Sequence, residues 1–441
     1  MPVRFCKGGI HPEDGKELAK YHAFKTVPYP AEVAIPLNMS IGAPSKPIVD
    51  KGDRVLIGQK IAEPGGFVSS CVHSSIAGTV KGIEKRLLAN GHTADCIVIT
   101  SDGSDEEVTY LEVRKPALMS REDIIEAVRE AGVVGMGGAG FPTHVKLATA
   151  KEDQIRFVIA NGAECEPYLT ADYRRIMETP EEVVEGLKIV LSLFPYARGI
   201  IAIEDNKKDC AKALSRYTAL EDRIDVEVLK TRYPQGAERQ LIYSCTGKAL
   251  NSSKLPADVG AIVDNVETLT AIYRAVAFGK PVITRTFTVT GDAIVTPRNF
   301  IVPIGMRQQD LIDLCDNYKE PPGKIISGGP MMGFAMYDTN VPVTKTTSAI
   351  TALLRDEVSE KLQSACISCG RCVEVCPSRL IPSRLAKYAR QRDEAMFLKY
   401  NGMECMGCGC CSYICPAKRQ LKQYIVTMKS IVNENRRKAK G

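Results

Sequence analysis

The sequence contains no tryptophan, and aromatic residues make up only 6% of its 441 positions. No aromatic-and-basic platform runs along it, which argues against a nucleic-acid partner. Nothing approaches the ~20 consecutive apolar residues that cross a bilayer; the stretches Ile189–Phe194 and Gly199–Ile203 are too short. The start, Met1-Pro-Val-Arg-Phe-Cys6, has no apolar core of a secretory signal. The five histidines (His11, His22, His73, His92 and His144) are dispersed, with no two at metal-ligand spacing, so ordinary surface or core histidines are expected. At 44% hydrophobic and 25% charged, the composition is that of a globular protein of two to four domains.

Cysteine, by contrast, is abundant. Eight of the sixteen cysteines fall into two runs of one spacing: Cys366-x2-Cys369-x2-Cys372-x3-Cys376-Pro377 and Cys405-x2-Cys408-x2-Cys411-x3-Cys415-Pro416. Three thiolates at that spacing wrap one tight loop around a cube of iron and sulfide, and a fourth lies just beyond. Two [4Fe–4S] clusters are therefore expected. Structural zinc usually takes two separated Cys-x2-Cys pairs, which this is not. Such runs resemble two-cluster ferredoxins, in which the fourth cysteine ligates the other cluster. That likeness assigns Cys366, Cys369, Cys372 and Cys415 to one cluster, and Cys405, Cys408, Cys411 and Cys376 to the other. Cys410 reads as a spectator close enough to substitute. Cys6, Cys71, Cys96, Cys165, Cys210, Cys245 and Cys315 are scattered and read mostly as small buried hydrophobes in a reducing interior.

Charge is uneven. The chain carries +6 overall, but from Cys366 onward fifteen Lys and Arg face five Asp and Glu. Two clusters, each bringing about two negative charges with its thiolates, offset part of that surplus. The remainder, with the tail Asn435-Arg-Arg-Lys-Ala-Lys440, suits either cluster neutralisation or a docking face for an acidic electron carrier, a partner subunit or anionic lipid.

Along the first hundred residues, Val49–Ile61 and His73–Val80 alternate apolar residues around glycine turns. This resembles the barrel-sandwich halves of lipoyl and biotinyl carrier domains, without the lysine that carries a prosthetic group there. Ser120-Arg-Glu-Asp123 then reads as a helix cap, with Ile124, Ile125, Val128 and Ala131 at helical spacing up to Gly132. Strands at 156–160, 199–203 and 225–229 alternate with helices after Thr179-Pro180 and near 209–217, which predicts an α/β layer with a largely parallel sheet. Residues 284–333 read as a small mixed module. A helix over 348–362 is expected to lead into a cluster domain that is helical between Cys376 and Cys405.

Gly135-Met-Gly-Gly-Ala-Gly-Phe-Pro-Thr143 matches G-x-G-x-x-G formally, but a capped helix precedes it where a dinucleotide fold needs a strand. Glycines still let backbone N–H groups approach a phosphate. Pro142 opens a helix whose N-terminus favours an anion, and Lys146 could add a cation. A plain tight turn is the alternative. Asn161-Gly-Ala-Glu164-Cys-Glu166-Pro167 follows a predicted strand, and Asn265-Val-Glu-Thr268 opens a helix; either could cap, turn or bind a ligand.

In this order the glycine loop, Asn161–Pro167, Tyr233-Pro-Gln-Gly-Ala-Glu238 and Asn265–Leu269 resemble the flavin-bearing, NADH-oxidising subunit of respiratory complex I. With Lys7-Gly-Gly-Ile-His-Pro12 and Gly407–Arg419 added, nearly the whole chain resembles the C subunits of Rnf complexes, ion-pumping ferredoxin:NAD+ oxidoreductases of bacterial membranes. The resemblance implies non-covalent FMN at Gly137, Gly138, Gly140, Lys146, Asn161, Glu164, Asn265 and Thr268. It implies NAD(H) stacked on Phe141 and hydrogen-bonded by Glu166 and Glu238. Ala163, Ala237 and Asp264 depart from the complex I pattern, which has Asp, Glu and Asn there. Four units are expected: a barrel-sandwich-like β domain over 1–115, an FMN/NADH-binding α/β domain over 116–280, a β-grasp module of the soluble-ligand-binding kind over 281–345, and a helical two-[4Fe–4S] ferredoxin-like domain over 346–441. The implied partners are other Rnf subunits, integral-membrane and iron–sulfur, and indirectly ferredoxin, with Na+ or H+ translocated by those partners. The implied location is peripheral, on the cytoplasmic face of the membrane. A soluble relative such as a cobalamin reductase shares the chemistry, and a zinc-stabilised scaffold without enzymatic activity is the remaining alternative.

Overall fold

In the computed structural model, which describes residues 7–110 and 113–439, the chain builds four sheets and a helical C-terminal bundle. Cys6 and the last two tail residues lie outside that range. The first hundred residues form a four-stranded sheet (Glu32–Pro36, Thr93–Ser101, Gly78–Leu87, Arg54–Val55) beside a three-stranded one (Lys46–Pro47, Lys60–Glu63, Val72–His73). The alternation predicted around the glycine turns is visible here, with Val55, Ile57, Ile61 and Val72 buried between the layers. His73 is a core histidine, its pKa depressed to about 3 chiefly by burial.

Ser120 caps the helix Arg121–Glu130, its hydroxyl accepting from Asp123 N while the Asp123 carboxylate answers the Ser120 N–H. Beyond it, strands Ile224–Leu229, Arg198–Glu204, Phe157–Gly162 and Ala261–Asn265 lie side by side, all parallel. The two middle strands are apolar at almost every position because both faces are covered. Val158 and Ala160 meet helices Pro180–Ser192 and Val266–Phe278 on one side, while Ile159 and Ala163 meet helix Glu238–Thr246 on the other.

The expected helix over 348–362 is not there. Ala349–Leu353 is a strand, parallel to Thr284–Thr290 and antiparallel to Lys324–Ser327, followed by the single turn Glu357–Glu360. It sits inside a six-stranded sheet, buried on both faces, and an apolar run of five residues has no period to reveal that. The edge of the same sheet comes from far away: Phe24–Thr26 pairs in parallel with Arg298–Pro303. Lys345 binds three units together, its buried ammonium donating to Ser70 Oγ, Cys71 O and Gly132 O.

Between the two cysteine runs lie helices Pro382–Gln391 and Glu394–Lys399. The long helix Leu421–Lys438 closes the bundle, its Ile425 and Met428 clustering with Leu385 and Phe397. Among the described residues no helix is long and apolar enough to cross a membrane.

Candidate functional site

The glycine loop stands at the C-terminal edge of the parallel sheet, the side where open α/β sheets leave room for ligands. Gly135 N donates to Phe141 O at 2.9 Å and Val134 pairs with Pro142, so the loop is a closed excursion with no strand before it. Thr268, fully buried, props it from beneath by accepting from Met136 N at 3.0 Å. Gly137 packs so closely that a Cβ would lie 2.8 Å from that of Asn265, whereas a Cβ on Gly138 would meet nothing within 4 Å. Gly140 adopts φ +73°, and Phe141 leaves 37% of its surface to solvent. The helix that Pro142 opens, Thr143–Leu147, is only five residues long, too short for much of a dipole.

Asn161 and Asn265 are register partners on neighbouring strands, which brings two separate motifs to one edge. Asn161 Nδ2 donates to Gly236 O at 2.9 Å. Asn265 caps helix Val266–Phe278 through Glu267 N and donates to Asp172 Oδ2 at 2.7 Å. Lys146 Nζ reaches Val263 O at 2.6 Å and Asp264 Oδ1 at 2.8 Å, while Asp264 Oδ2 stays buried without a partner. Glu238, first residue of its helix, shares their field: surrounding atoms push its carboxyl up, Lys146 opposes and Asp264 adds, although the residue as a whole is exposed. Glu164, at φ 38°, accepts from Asp172 N and Tyr173 N and faces Lys16 at 3.9 Å; burial raises its pKa against that ammonium. Glu166 turns elsewhere. Its Oε1 accepts from Met331 N at 2.6 Å and Met332 N at 3.0 Å, on the loop after strand Lys324–Ser327.

The open space before Gly138 and the orphaned Asp264 oxygen fit a ligand whose hydroxyl groups can donate to a buried carboxylate, as the ribityl chain of FMN can. Asp172, Lys16 and Arg285 were missed from the sequence. They reach the site only through long-range packing, and no local motif marks them.

A buried ion group supports the loop. Arg175 Nε donates to Glu267 Oε2 at 2.6 Å, Arg285 Nη1 lies 4.0 Å from Glu267 Oε1, and Arg285 Nη2 donates to Met136 O at 3.2 Å. Burial by itself raises the Glu267 pKa, but the two guanidinium groups outweigh it and hold the carboxyl at about 2, below its ordinary 4.5. A depressed folded value means that this stability is complete above pH 4.5 and is lost as pH falls through about 2. Glu267→Gln is therefore expected to cost about 3–5 kcal/mol, because two buried cations lose their partner. It should also flatten the acid limb of stability between those pH values, as read by denaturant unfolding at a series of pH.

The second cysteine run lies against this domain. Cys376, Cys405, Cys408 and Cys411 line one cavity with Leu380 and Ile425. Burial and the neighbouring thiols of Cys408, Cys405 and Cys376 push the Cys411 thiol up. Leu380 N donates to Cys376 Sγ at 3.3 Å and Gly407 N to Cys405 Sγ at 3.4 Å, hydrogen bonds that would stabilise thiolate sulfur. Cys366 and Cys369 lie exposed on an irregular segment, Cys372 is half-buried, and Cys415 is buried in the helical core. Among the described residues no three His, Cys, Asp or Glu side chains converge on a point that would hold a single ion. Each thiolate of a four-iron cube binds a different iron, and Cys376, Cys405, Cys408 and Cys411, with Cys410 beside them, supply such donors around one cavity. Cys410 is buried, its Sγ directed to Tyr233 O at 3.8 Å.

A larger cavity of about 440 Å³ lies away from both loops, between strand Glu32–Pro36 and the loops that hold Gly305, Arg307 and Pro342. Its charges are already paired, Arg86 with Glu32 and Arg307 with Asp310.

The family described as the RnfC barrel sandwich hybrid domain matches residues 4–104, the Nuo51 FMN-binding domain matches 128–274, and the 4Fe-4S dicluster domain matches 365–418. The proton-translocating ferredoxin:NAD(+) oxidoreductase complex of Clostridium ljungdahlii has a C subunit that is 44% identical, over 98% of this chain and 94% of its own length. The C subunit of the Na(+)-translocating complex of Acetobacterium woodii is 44% identical over 98% of both. That of the ion-translocating oxidoreductase complex of Rhodobacter capsulatus is 39% identical over 86% of this chain and 74% of its own. The glycine loop and the two cysteine runs, in a chain matched over 98% of its length by such relatives, leave one conclusion: the chain belongs to the family of C subunits of Rnf-type ferredoxin:NAD+ oxidoreductase complexes.

Proposed function

We propose that this chain is the NAD(H)-reactive electron-transfer subunit of an Rnf complex, working with integral-membrane and iron–sulfur subunits at the cytoplasmic face of the membrane. Those partners pass it electrons from ferredoxin and move Na+ or H+. FMN lies on the glycine loop, with Gly137, Gly138, Gly140, Lys146, Asn161, Glu164, Asn265 and Thr268 forming its bed. NAD(H) stacks on the exposed Phe141, with Glu238 and the second oxygen of Glu166 as polar contacts. When bound, FMN would exchange one hydride, a pair of electrons, with NAD(H) and single electrons with iron–sulfur clusters. Cys366, Cys369, Cys372 and Cys415 take one [4Fe–4S] cluster; Cys405, Cys408, Cys411 and Cys376 take the other. The units run over 1–115, 116–280, 281–345 and 346–441, with the third taking its central strand from Ala349–Leu353.

The chain's own part is to fix geometry and exclude water. Thr268 and Arg285 hold the loop backbone still, and the buried Asp264 carboxylate receives hydroxyl donors beside Lys146. One observation carries the reading: the cavity lined by Cys376, Cys405, Cys408 and Cys411 abuts the domain of the glycine loop, while Cys366 and Cys369 face solvent, where a partner can reach them. Anaerobic purification with iron, acid-labile sulfide and flavin measured together is expected to give about eight irons and eight sulfides for each FMN. A colourless protein holding zinc would overturn the reading.

A further inference from the structure

Tyr233 is 3% exposed and belongs to neither cofactor bed described above. Its hydroxyl donates to Cys408 O at 2.7 Å, inside a dry cluster formed with Ile10, Met331 and Cys410. Its own backbone is held from both sides: Tyr233 N donates to Ile10 O at 3.0 Å and Ile10 N to Tyr233 O at 2.9 Å. Three residues on, Gly236 N donates to Cys165 Sγ at 3.2 Å, and Gly236 O accepts from Asn161 Nδ2 at 2.9 Å. The segment Tyr233–Gly236 therefore runs directly from the sheet edge beside the glycine loop to the backbone of a cluster cysteine. The same N-terminal segment closes the contact from the other side, Gly9 N donating to Val375 O at 2.8 Å.

We propose that Tyr233 is a positioning residue: its phenol fixes the Cys405–Cys411 loop against the glycine-loop domain, and so sets how closely and how uniformly that loop's cluster faces the flavin. This rests on the FMN and cluster assignments above. The Cys408 carbonyl is buried with the phenol as its donor, so removing the hydroxyl leaves an acceptor that is satisfied only if the loop moves. Removing the ring as well opens a hole between the two domains.

The test uses anaerobic holoprotein as wild type, Tyr233→Phe and Tyr233→Leu, each first analysed for flavin, iron and sulfide. The protein is fully reduced with dithionite, freed of excess reductant and mixed rapidly with NAD+. Each NAD+ takes two electrons and one proton from the reduced protein and leaves as NADH. Flavin oxidation in the first turnover is expected to be unchanged in Tyr233→Phe, while oxidation of the Cys405–Cys411 cluster slows severalfold, because the loop shifts to satisfy the Cys408 carbonyl and the cluster no longer keeps one distance to the flavin. Tyr233→Leu should slow it further. Freeze-quenched paramagnetic resonance should show that cluster's signal broadened into several environments, with the other cluster's unchanged.

Wild-type cluster kinetics with an unaltered spectrum in both variants would reduce Tyr233 to core filling and overturn the proposal. Equal slowing of flavin and cluster oxidation would overturn it too, placing the effect at the nucleotide site. Wild-type protein lacking flavin or either cluster would remove the functional reading and this role together, a failure recognisable before any variant is made.

Discussion

Gly138→Val is expected to release FMN while leaving the fold and the iron content intact. The three glycines of the loop differ in what they demand. A Cβ at Gly137 would press on Asn265 at 2.8 Å, and Gly140 sits at φ +73°, so substitution at either strains the protein itself. Gly138 carries neither constraint: its φ lies outside the left-handed region and nothing stands within 4 Å of an added Cβ. Valine there meets only what occupies the open space. Overpacking an occupied site costs about 1–3 kcal/mol, which is ~10–100-fold in affinity, enough to strip flavin during gel filtration. Thermal unfolding of the flavin-free forms of variant and wild type should coincide, since a substitution away from packed features stays within about 0.5 kcal/mol. A variant that keeps stoichiometric flavin, or oxidises NADH with an artificial acceptor at the wild-type rate, would move the flavin away from this loop.

How far the sequence shows this site depends on how local each feature is. Ser120 and Asp123 act within one helical turn, so the start of helix Arg121–Glu130 is readable from four letters. The parallel sheet is readable because its middle strands are buried on both faces and leave unbroken apolar runs. Ala349–Leu353 has the same kind of run but was expected to be helical. Its identity comes from Thr284–Thr290 and Lys324–Ser327 on either side, and a five-residue window cannot contain that. The pairing of Phe24–Thr26 with Arg298–Pro303 spans most of the chain and has no local sign at all.

The candidate site divides in the same way. Glycine and cysteine spacings are local and stand out. The Asp172–Asn265 hydrogen bond, the Arg175–Glu267–Arg285 group and the Tyr233–Cys408 contact exist only once the sheet edge, the six-stranded sheet and the cluster loops are assembled. Glu166 shows the limit of reading by motif. Its position suggested a nucleotide contact, yet half of its carboxylate holds the Met331–Met332 backbone.

Cys376→Ala is expected to remove the cluster of the other cysteine run. In sequence Cys376 closes the first run; in space it lines the cavity of Cys405, Cys408 and Cys411. Its sulfur is aimed by Leu380 N and its backbone is anchored through Val375 O to Gly9 N, so it cannot swing back to Cys366 and Cys369 without breaking the contact with the N-terminal segment. Iron should fall from about eight to about four. The surviving paramagnetic signal should be the one that Cys369→Ser abolishes, and Cys415→Ala should produce the mirror result. Cys410, buried two residues from Cys408 and lining the same cavity, is near enough to rescue the lost ligand. Cys376→Ala/Cys410→Ala should therefore lose any residual iron that the single variant retains. If Cys376→Ala instead spared the Cys405–Cys411 signal and erased the one sensitive to Cys369, each run would be ligating its own cube. Cys405, Cys408 and Cys411 would then take Cys415 as their fourth ligand, and the short route from the sheet edge through Tyr233 would end at a cluster held wholly by the second run, with Cys376 idle beside it.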